Sequence, residues 1–378
     1  MVYRVAVLPG DGIGPEVTAQ ARKVMNKAAL ITQNELLWQE FPFGAEYYLA
    51  HNVVLPPGAL NDIGAYDALL LGAVGDPKVP PGPLEQELLL ALRFHFDQYL
   101  NLRPALSFPN VPLPCPIPPD RTINIAVVRE NTEDYYMGLG GLTENPADSF
   151  NLSAPRKLYS FKATLNTCVS PETKAAFSLG LLSEPGIRRI TQKALTLTKA
   201  RGEKSLTVAT KANALPQYYG FWDKITRSEA EKCPDIRVNL MNVDNLCYQL
   251  PRDPLAFGVI LCPNLFGDIV SDLVSALAGG LGLAASGNIG DSLSMFEPVH
   301  GSAPDIAGTG KANPLAAILS GAMLLEHLKL NEAARLITKA VAEYLAGGLY
   351  LPLELGGPAD TDRVGTAVAD LITEPKRS

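Results

Sequence analysis

Residues 2–29 read VYRVAVLPGDGIGPEVTAQARKVMNKAA, and this stretch decides the fold. Val2 to Leu8 is a short apolar run, of the length and β-branched character of a buried strand. Pro9 to Gly14 follow as a glycine-rich turn. Pro15 to Ala29 then read as a helix, with Pro15 near its first turn, where a missing N–H costs little. A second buried strand is expected at Ala68–Leu71, ending in GAVG. Such β–turn–α units predict an α/β fold with a mostly parallel central sheet flanked by helices. GDGIG at 10–14 is not the full GxGxxG fingerprint, and the strand–turn–helix position alone would demand its glycines. No Rossmann domain is inferred from it.

Outward from this unit, Leu84 to Leu100 carries a helical pattern ending at LNLRP. Residues 104–119 then hold seven prolines, a density that no helix survives. An extended crossover between two domains is expected there. Ile123–Val128 reads as a strand leading into RENTEDYY, and 138–160, rich in Gly, Asn, Ser and Pro, as a loop or projecting arm. Helices are expected at Pro185–Lys199 and Pro216–Lys232, with short strands at Thr207–Thr210 and Val238–Met241. A strand at Phe257–Cys262 precedes a helix from about Phe266 to Leu277, and the last hundred residues are largely helical.

Length and composition narrow the class. The 378 residues are enough for two domains. A hydrophobic content of 47% with 19% charged residues fits a globular enzyme. A net charge of -7 without a basic stripe argues against nucleic acid as a partner. The five scattered cysteines show no CxxC spacing, so neither a disulfide framework nor a zinc knuckle is indicated, and a reducing cytoplasm is the simplest location. There is no signal-peptide h-region and no apolar run long enough to span a membrane.

Four groups of residues carry chemistry. EPVHGSAPDIAGTGKANP, 297–314, is a long polar loop directly before the apolar helical run Leu315–Leu328, which marks it as a binding loop on a packed scaffold. His300 offers a flat ring and Asp305 a carboxylate able to accept from a ribose diol. Asp268 and Asp272 stand at i and i+4, on one helical face. They read either as a solvated acidic face or as oxygen ligands for Mg²⁺ or Mn²⁺. Arg93, Arg103 and Arg129 sit at marked places and are either surface residues or a set of forks for a dicarboxylate. Tyr136 and Lys211, the latter just after a strand, are candidate proton carriers or ordinary structural residues. The four histidines form no metal set and no GxSxG is present.

Taken in order, the motifs resemble those of the β-decarboxylating dehydrogenases, the family of isopropylmalate, isocitrate, homoisocitrate, tartrate and D-malate dehydrogenases. LPGDGIGPEV opens the resemblance, followed by LRxxxDxxxNLRP at 92–104, VVRENTEDYY at 127–136 and TKAN at 210–213. VDN at 243–245, NLFGDIVSD and EPVHGSAPDIAG complete it. The resemblance implies an isopropylmalate/isocitrate dehydrogenase-like two-domain α/β fold. The larger, cofactor-binding domain would comprise 1–100 and 253–378. The smaller would comprise 101–252, with a dimer-interface arm at about 138–165.

It also implies roles. Arg93, Arg103 and Arg129 would bind the malate carboxylates, with Leu89 and Leu90 facing the C3 substituent. Lys211 would take the C2 hydroxyl proton through water, and Tyr136 would protonate C3. Asp244, Asp268 and Asp272 would hold Mg²⁺ or Mn²⁺, with K⁺ as an additional cation. Glu297, His300, Gly301, Ser302, Ala303, Asp305, Ile306 and Asn313 would hold NAD. NADP-using members tend to carry Lys–Tyr where this chain has Asp305–Ile306, so NAD is expected. Lys211 and Asp244 would reach across from a partner subunit, implying a homodimer or higher homo-oligomer with shared active sites. The expected reaction is oxidative decarboxylation of a malate-type diacid to a 2-keto acid, CO₂ and NADH. GAEYYLAHNVVLPPGAL and FDQYLNLRP look more like the tartrate and D-malate enzymes, which favours D-malate, tartrate or a 3-alkylmalate as substrate. The alternatives are 3-isopropylmalate and then isocitrate or homoisocitrate. A non-catalytic regulatory subunit is disfavoured, because every motif residue is retained.

Overall fold

A computed structural model describes residues 1–374. The chain builds a large, mostly parallel central sheet flanked by helices and divides into two compact units. The larger contains residues 1–126, 249–257 and 271 onward; the smaller contains 127–248 and 258–270.

In the larger unit the strands run in the order Leu100–Leu106, Ala285–Ile289, Met295–Pro298, Ala68–Ala73, Val2–Gly10, Glu35–Glu40. Val2–Gly10 lies parallel between Glu35–Glu40 and Ala68–Ala73, pairing Val5 with Ala68 and Leu8 with Leu71. Ala285–Ile289 is antiparallel to both its neighbours. Alternate residues face opposite ways. Val5, Ala68, Leu70 and Phe296 pack under the helices Gly14–Ile31, Leu315–His327, Asn331–Gly347 and Thr361–Leu371. Ala6, Leu8, Leu69, Leu71 and Met295 face a second core with Ile63, Leu84, Leu88 and Phe96. The Gly14–Ile31 helix buries Val17, Ala21, Val24, Met25 and Ala28, the spacing of one helical face.

Two differences from the sequence reading bear on the site. The segment 84–100 is not one helix. A π-helical turn, Glu85–Leu90, runs into a short α-helix, Ala91–His95, and Asp97, at φ 47°, turns the chain into the strand Leu100–Leu106. In addition, residues 258–270, with Asp268, group with the smaller unit, whereas the sequence places them in the larger, and residues 101–126 group with the larger unit, whereas the sequence places them in the smaller. The reason is the pairing of Leu100–Leu102 with Gly287–Ile289. Pro104 lies beyond those paired residues, where it removes no ladder bond to that neighbour.

The smaller unit has parallel strands in the order Arg237–Asn242, Ser205–Thr210, Val259–Cys262, followed by Asn124–Glu130. The helices Glu184–Ala200 and Tyr218–Ala230 belong to the same unit. The region read as loop or arm consists of two antiparallel pairs, Gly140–Thr143 with Ala175–Ser178 and Ala147–Pro155 with Ser160–Cys168. One face of these ribbons carries a small core of Met137, Leu139, Leu152 and Ala154. The five cysteines are free, and no helix among the described residues is long and apolar enough to cross a membrane.

Candidate active site

The 297–314 loop is built onto the larger unit from both ends. Glu297, in the strand Met295–Pro298, accepts from Asn288 Nδ2 at 2.7 Å and from Arg93 Nη2 at 3.3 Å. Asn313 closes the loop: its Oδ1 accepts from Leu315 N at 3.1 Å at the start of the next helix, and its Nδ2 donates to Glu354 Oε2 at 2.9 Å. In between, Ser302 O accepts Ile13 N at 2.8 Å, and Glu16 Oε1 accepts Gly308 N at 2.5 Å. Ala303 takes a left-handed conformation, φ 39° and ψ 61°, which a side chain rarely adopts and which marks a backbone held by its surroundings. A single tight turn, Pro304–Ile306, leaves Asp305 exposed. Burial pushes the His300 imidazole below its ordinary range. Its Nδ1 lies 3.0 Å from Gly301 O, while its buried Nε2 has no hydrogen-bond partner among the described residues. Such an orphaned ring nitrogen suits a bound ligand.

The arginines and aspartates come in pairs. In the smaller unit Arg129, 1% exposed, donates from Nε to Asn264 Oδ1 at 2.9 Å and from Nη1 to Asp268 Oδ1 at 2.5 Å. Asp268 Oδ2 accepts from the Tyr136 hydroxyl at 2.7 Å, and the Arg129 guanidinium lies 5.1 Å from the Tyr136 ring centroid. Arg129, Tyr136 and Asp268 thus form one cluster. Separately, Lys211 Nζ donates to Asp244 Oδ1 at 2.6 Å and holds that carboxyl below its ordinary range. In the larger unit Arg103 donates to Asn101 Oδ1 at 2.7 Å, Ser271 Oγ at 2.8 Å and Asp272 Oδ1 at 3.3 Å. Arg93 is buried, and its Nε has no partner among the described residues.

These aspartates offer oxygen donors alone, a hard set that suits Mg²⁺ or Mn²⁺. Asp268 and Asp272 share the helix Asn264–Ala278. Among the described residues, however, no three acidic, histidine or cysteine side chains gather closely enough to hold an ion.

Leu89 and Leu90 lie half-buried on the π-helical turn, while Leu88 beside them is in the core. π-Helical turns recur at functional sites because they re-aim side chains within a helix.

Sequence reasoning missed four supporting residues. Asp11, in the glycine turn, accepts Ala45 N at 2.7 Å and Gly75 N at 2.8 Å, and burial raises its carboxyl. Glu130, Glu133 and Asp134, which follow Arg129 in sequence, are all buried. Asp134 accepts Leu265 N and the Tyr218 hydroxyl, each at 2.8 Å, and so anchors the start of the helix that carries Asp268. The available signal was three acids within five residues, just after the apolar run Ile125–Val128.

Residues 4–368 match the family model described as isocitrate/isopropylmalate dehydrogenase. The 3-isopropylmalate dehydrogenase of Thermobifida fusca is 40% identical over 98% of this chain and 98% of its own length. That of Streptomyces avermitilis is 43% identical over 96% of each. Among solved structures, isocitrate dehydrogenase from Methylococcus capsulatus aligns with a TM-score of 0.84 at 32% identity, covering 98% of this chain and 99% of the other. The chain belongs to the isocitrate/isopropylmalate dehydrogenase family. It is an NAD-dependent decarboxylating dehydrogenase, and NAD and a divalent metal are the family's general requirements.

Proposed function

We propose that this enzyme oxidises and decarboxylates a 3-alkylmalate, 3-isopropylmalate foremost, using NAD⁺ and Mg²⁺ or Mn²⁺. The carrying observation is the pair Leu89 and Leu90, half-buried four and three residues before Arg93 on the π-helical turn. Two leucines there present an apolar wall to the C3 substituent. They disfavour a third carboxylate, as isocitrate would bring, because a charge against apolar surface loses hydration without a partner. Similarity to 3-isopropylmalate dehydrogenases over almost the whole length supports this reading above the D-malate or tartrate one.

In this reading Arg93, Arg103 and Arg129 hold the two malate carboxylates. Lys211 receives the C2 hydroxyl proton through a water, and Tyr136 delivers a proton to C3 after CO₂ leaves. NAD⁺ would accept the hydride from C2, and His300, Asp305 and Asn313 would hold its adenosine end. A carboxylate at Asp305 accepts from the ribose 2′-hydroxyl and repels a 2′-phosphate. Asp244, Asp268 and Asp272 would hold the cation, which supplies Lewis-acid polarisation of the C2 oxygen. A second copy would contribute Asp244 and Lys211, as the family resemblance implies.

Initial rates of NADH formation with D-malate, tartrate, 3-isopropylmalate and isocitrate, each with Mn²⁺, test the substrate. The highest kcat/KM is expected for 3-isopropylmalate; preference for D-malate or tartrate would sink the assignment. Sharing between copies is tested by mixing two inactive variants, Lys211→Met and Asp272→Asn. Recovered activity is expected on mixing, and none if each site is made by one chain.

A further inference from the structure

We infer that the hairpin turn of the arm, Arg156 to Tyr159, is a positioning element for the Arg129–Tyr136 segment and acts through the buried carboxylate of Glu133. All the residues concerned lie in the smaller unit.

Glu133 is almost fully buried and is held first by a helix end. Its Oε2 accepts Ser183 N at 2.8 Å and its Oε1 accepts the Ser183 hydroxyl at 2.5 Å. Ser183 is the N-cap of the helix Glu184–Ala200, its Oγ accepting Gly186 N at 3.1 Å. A Cβ added at Gly186 would stand 2.4 Å from Glu133 Oε1, so the carboxylate rests directly on the helix start. The positive end of the helix dipole favours the anion there.

The arm turn grips the same segment from another side. Pro155 pairs with Ser160, and Arg156 N donates to Tyr159 O at 2.8 Å, so the turn is a closed hairpin end. Arg156 Nε donates to Thr132 O at 3.2 Å, while Arg189, from the helix, donates to Thr132 Oγ1 at 3.3 Å. The Tyr159 ring packs on the arm's core, and its buried hydroxyl sits beside Glu133 and Arg156 without a hydrogen bond of normal geometry. The groups facing the Glu133 carboxylate are therefore Ser183 and Arg189 from the helix, Tyr159 from the arm turn, and Glu130 from its own segment, with Arg156 beside the Tyr159 hydroxyl.

The segment has little slack. Glu130 folds back to accept Thr132 N at 2.9 Å and Glu133 N at 2.7 Å. Asp134 N donates to Leu181 O at 2.8 Å with Asp134 at φ 65°, a strained conformation for a residue with a side chain. Tyr136 follows two residues later, with its hydroxyl on Asp268. A shift of the turn is transmitted along this stretch to the Tyr136 hydroxyl and the Arg129 fork. Misplacing a reacting group by 1 Å costs about 10²-fold in rate. Neither Arg156 nor Tyr159 has a role in the proposed chemistry, so their effect is on position.

This inference rests on the roles proposed for Arg129 and Tyr136. Its test uses the full-length enzyme with 3-isopropylmalate, NAD⁺ and Mn²⁺, comparing wild type with Tyr159→Phe, Arg156→Gln and Arg156→Lys. Tyr159→Phe removes one oxygen and is expected to leave Tm and the KM for NAD⁺ near wild type, lower kcat about tenfold, and displace one limb of the kcat–pH profile. Arg156→Gln should do the same, and Arg156→Lys should recover part of kcat. Unchanged kcat and pH profile in Tyr159→Phe and Arg156→Gln, or a kcat loss that only follows a fall in Tm, overturns the positioning role. An inactive wild type would instead overturn the roles of Arg129 and Tyr136, a different failure.

Discussion

A Cβ atom added at Gly12 would stand 2.0 Å from the Ser302 carbonyl oxygen, the same oxygen that accepts Ile13 N at 2.8 Å. The first turn of the chain is thus the support for a loop almost three hundred residues later. Gly12 also sits at φ +58°, where a side chain is strained whatever the space. Gly12→Ala is expected to cost about 1–3 kcal/mol of stability and to raise the KM for NAD⁺ while leaving the substrate KM nearly unchanged. Thermal melts and initial rates check both parts; an unchanged KM for NAD⁺ would separate the turn from the cofactor.

Asp305 is exposed, so replacing it should not disturb folding. Asp305→Lys should lower kcat/KM for NAD⁺ about tenfold or more, the worth of one charge-assisted hydrogen bond of about 1.5–3 kcal/mol. It should also bring NADP⁺ use into the measurable range. If NAD⁺ use is not weakened, the ribose contact is misassigned.

Tyr136→Phe removes the hydroxyl that donates to Asp268 at 2.7 Å. Loss of a positioned proton donor costs about 10²–10⁴ in kcat. The KM values should move far less. A kcat within about twofold of wild type would reassign the proton to another group.

Burial, reinforced by the Glu133 charge, pushes the Glu130 carboxyl up to about 8. Between the ordinary glutamate range and that value the folded chain keeps a proton that the unfolded chain has lost. This contribution is complete below the unfolded pKa and is lost as pH rises towards 8, at about 1.4 kcal/mol per pH unit. Wild type should therefore lose more Tm between pH 5 and 8 than Glu130→Gln, which cannot titrate. Parallel Tm–pH curves would remove Glu130 from the account.

Mn²⁺ should raise Tm in proportion to RT ln(1 + [Mn²⁺]/Kd), about 2.7 kcal/mol at a hundredfold excess over Kd. Asp268→Asn and Asp272→Asn should each blunt that rise, and a chelator should reverse it in wild type. A shift that survives both substitutions would place the cation elsewhere.

Much of the fold was legible because the strands are apolar runs: Val5–Leu8 and Ala68–Leu71 read as strands and are strands. The arm was harder. Along Ala147–Pro155 and Ser160–Cys168 the period of two is present, at Phe150, Leu152 and Ala154 and at Phe161, Ala163 and Leu165. Ser, Thr and Asn at the outward positions gave it a loop-like composition, since a ribbon with one wet face needs few large apolar residues. The break at Asp97 was hidden because a left-handed turn at a residue other than glycine has no strong local signal. The site's charged residues stood out through motif spacing. Their pairing did not, because which arginine meets which aspartate depends on strands and helices far apart in sequence. Glu130, Glu133 and Asp134 escaped for a related reason: acids in a run look solvated until burial is known.

The π-helical turn at Glu85–Leu90 has one more consequence. It holds an extra residue relative to an α-helical turn, so Leu88 can stay locked in the interior while its two neighbours vary. Deleting Leu89 or Leu90 would restore ordinary helical winding of about 100° per residue and leave one leucine in place of two, with the chain on either side in unchanged register. On the role proposed for Leu89 and Leu90, one codon would separate two acceptance profiles, and a new preference for the group at C3 could arise there by insertion or deletion as well as by exchange of a side chain.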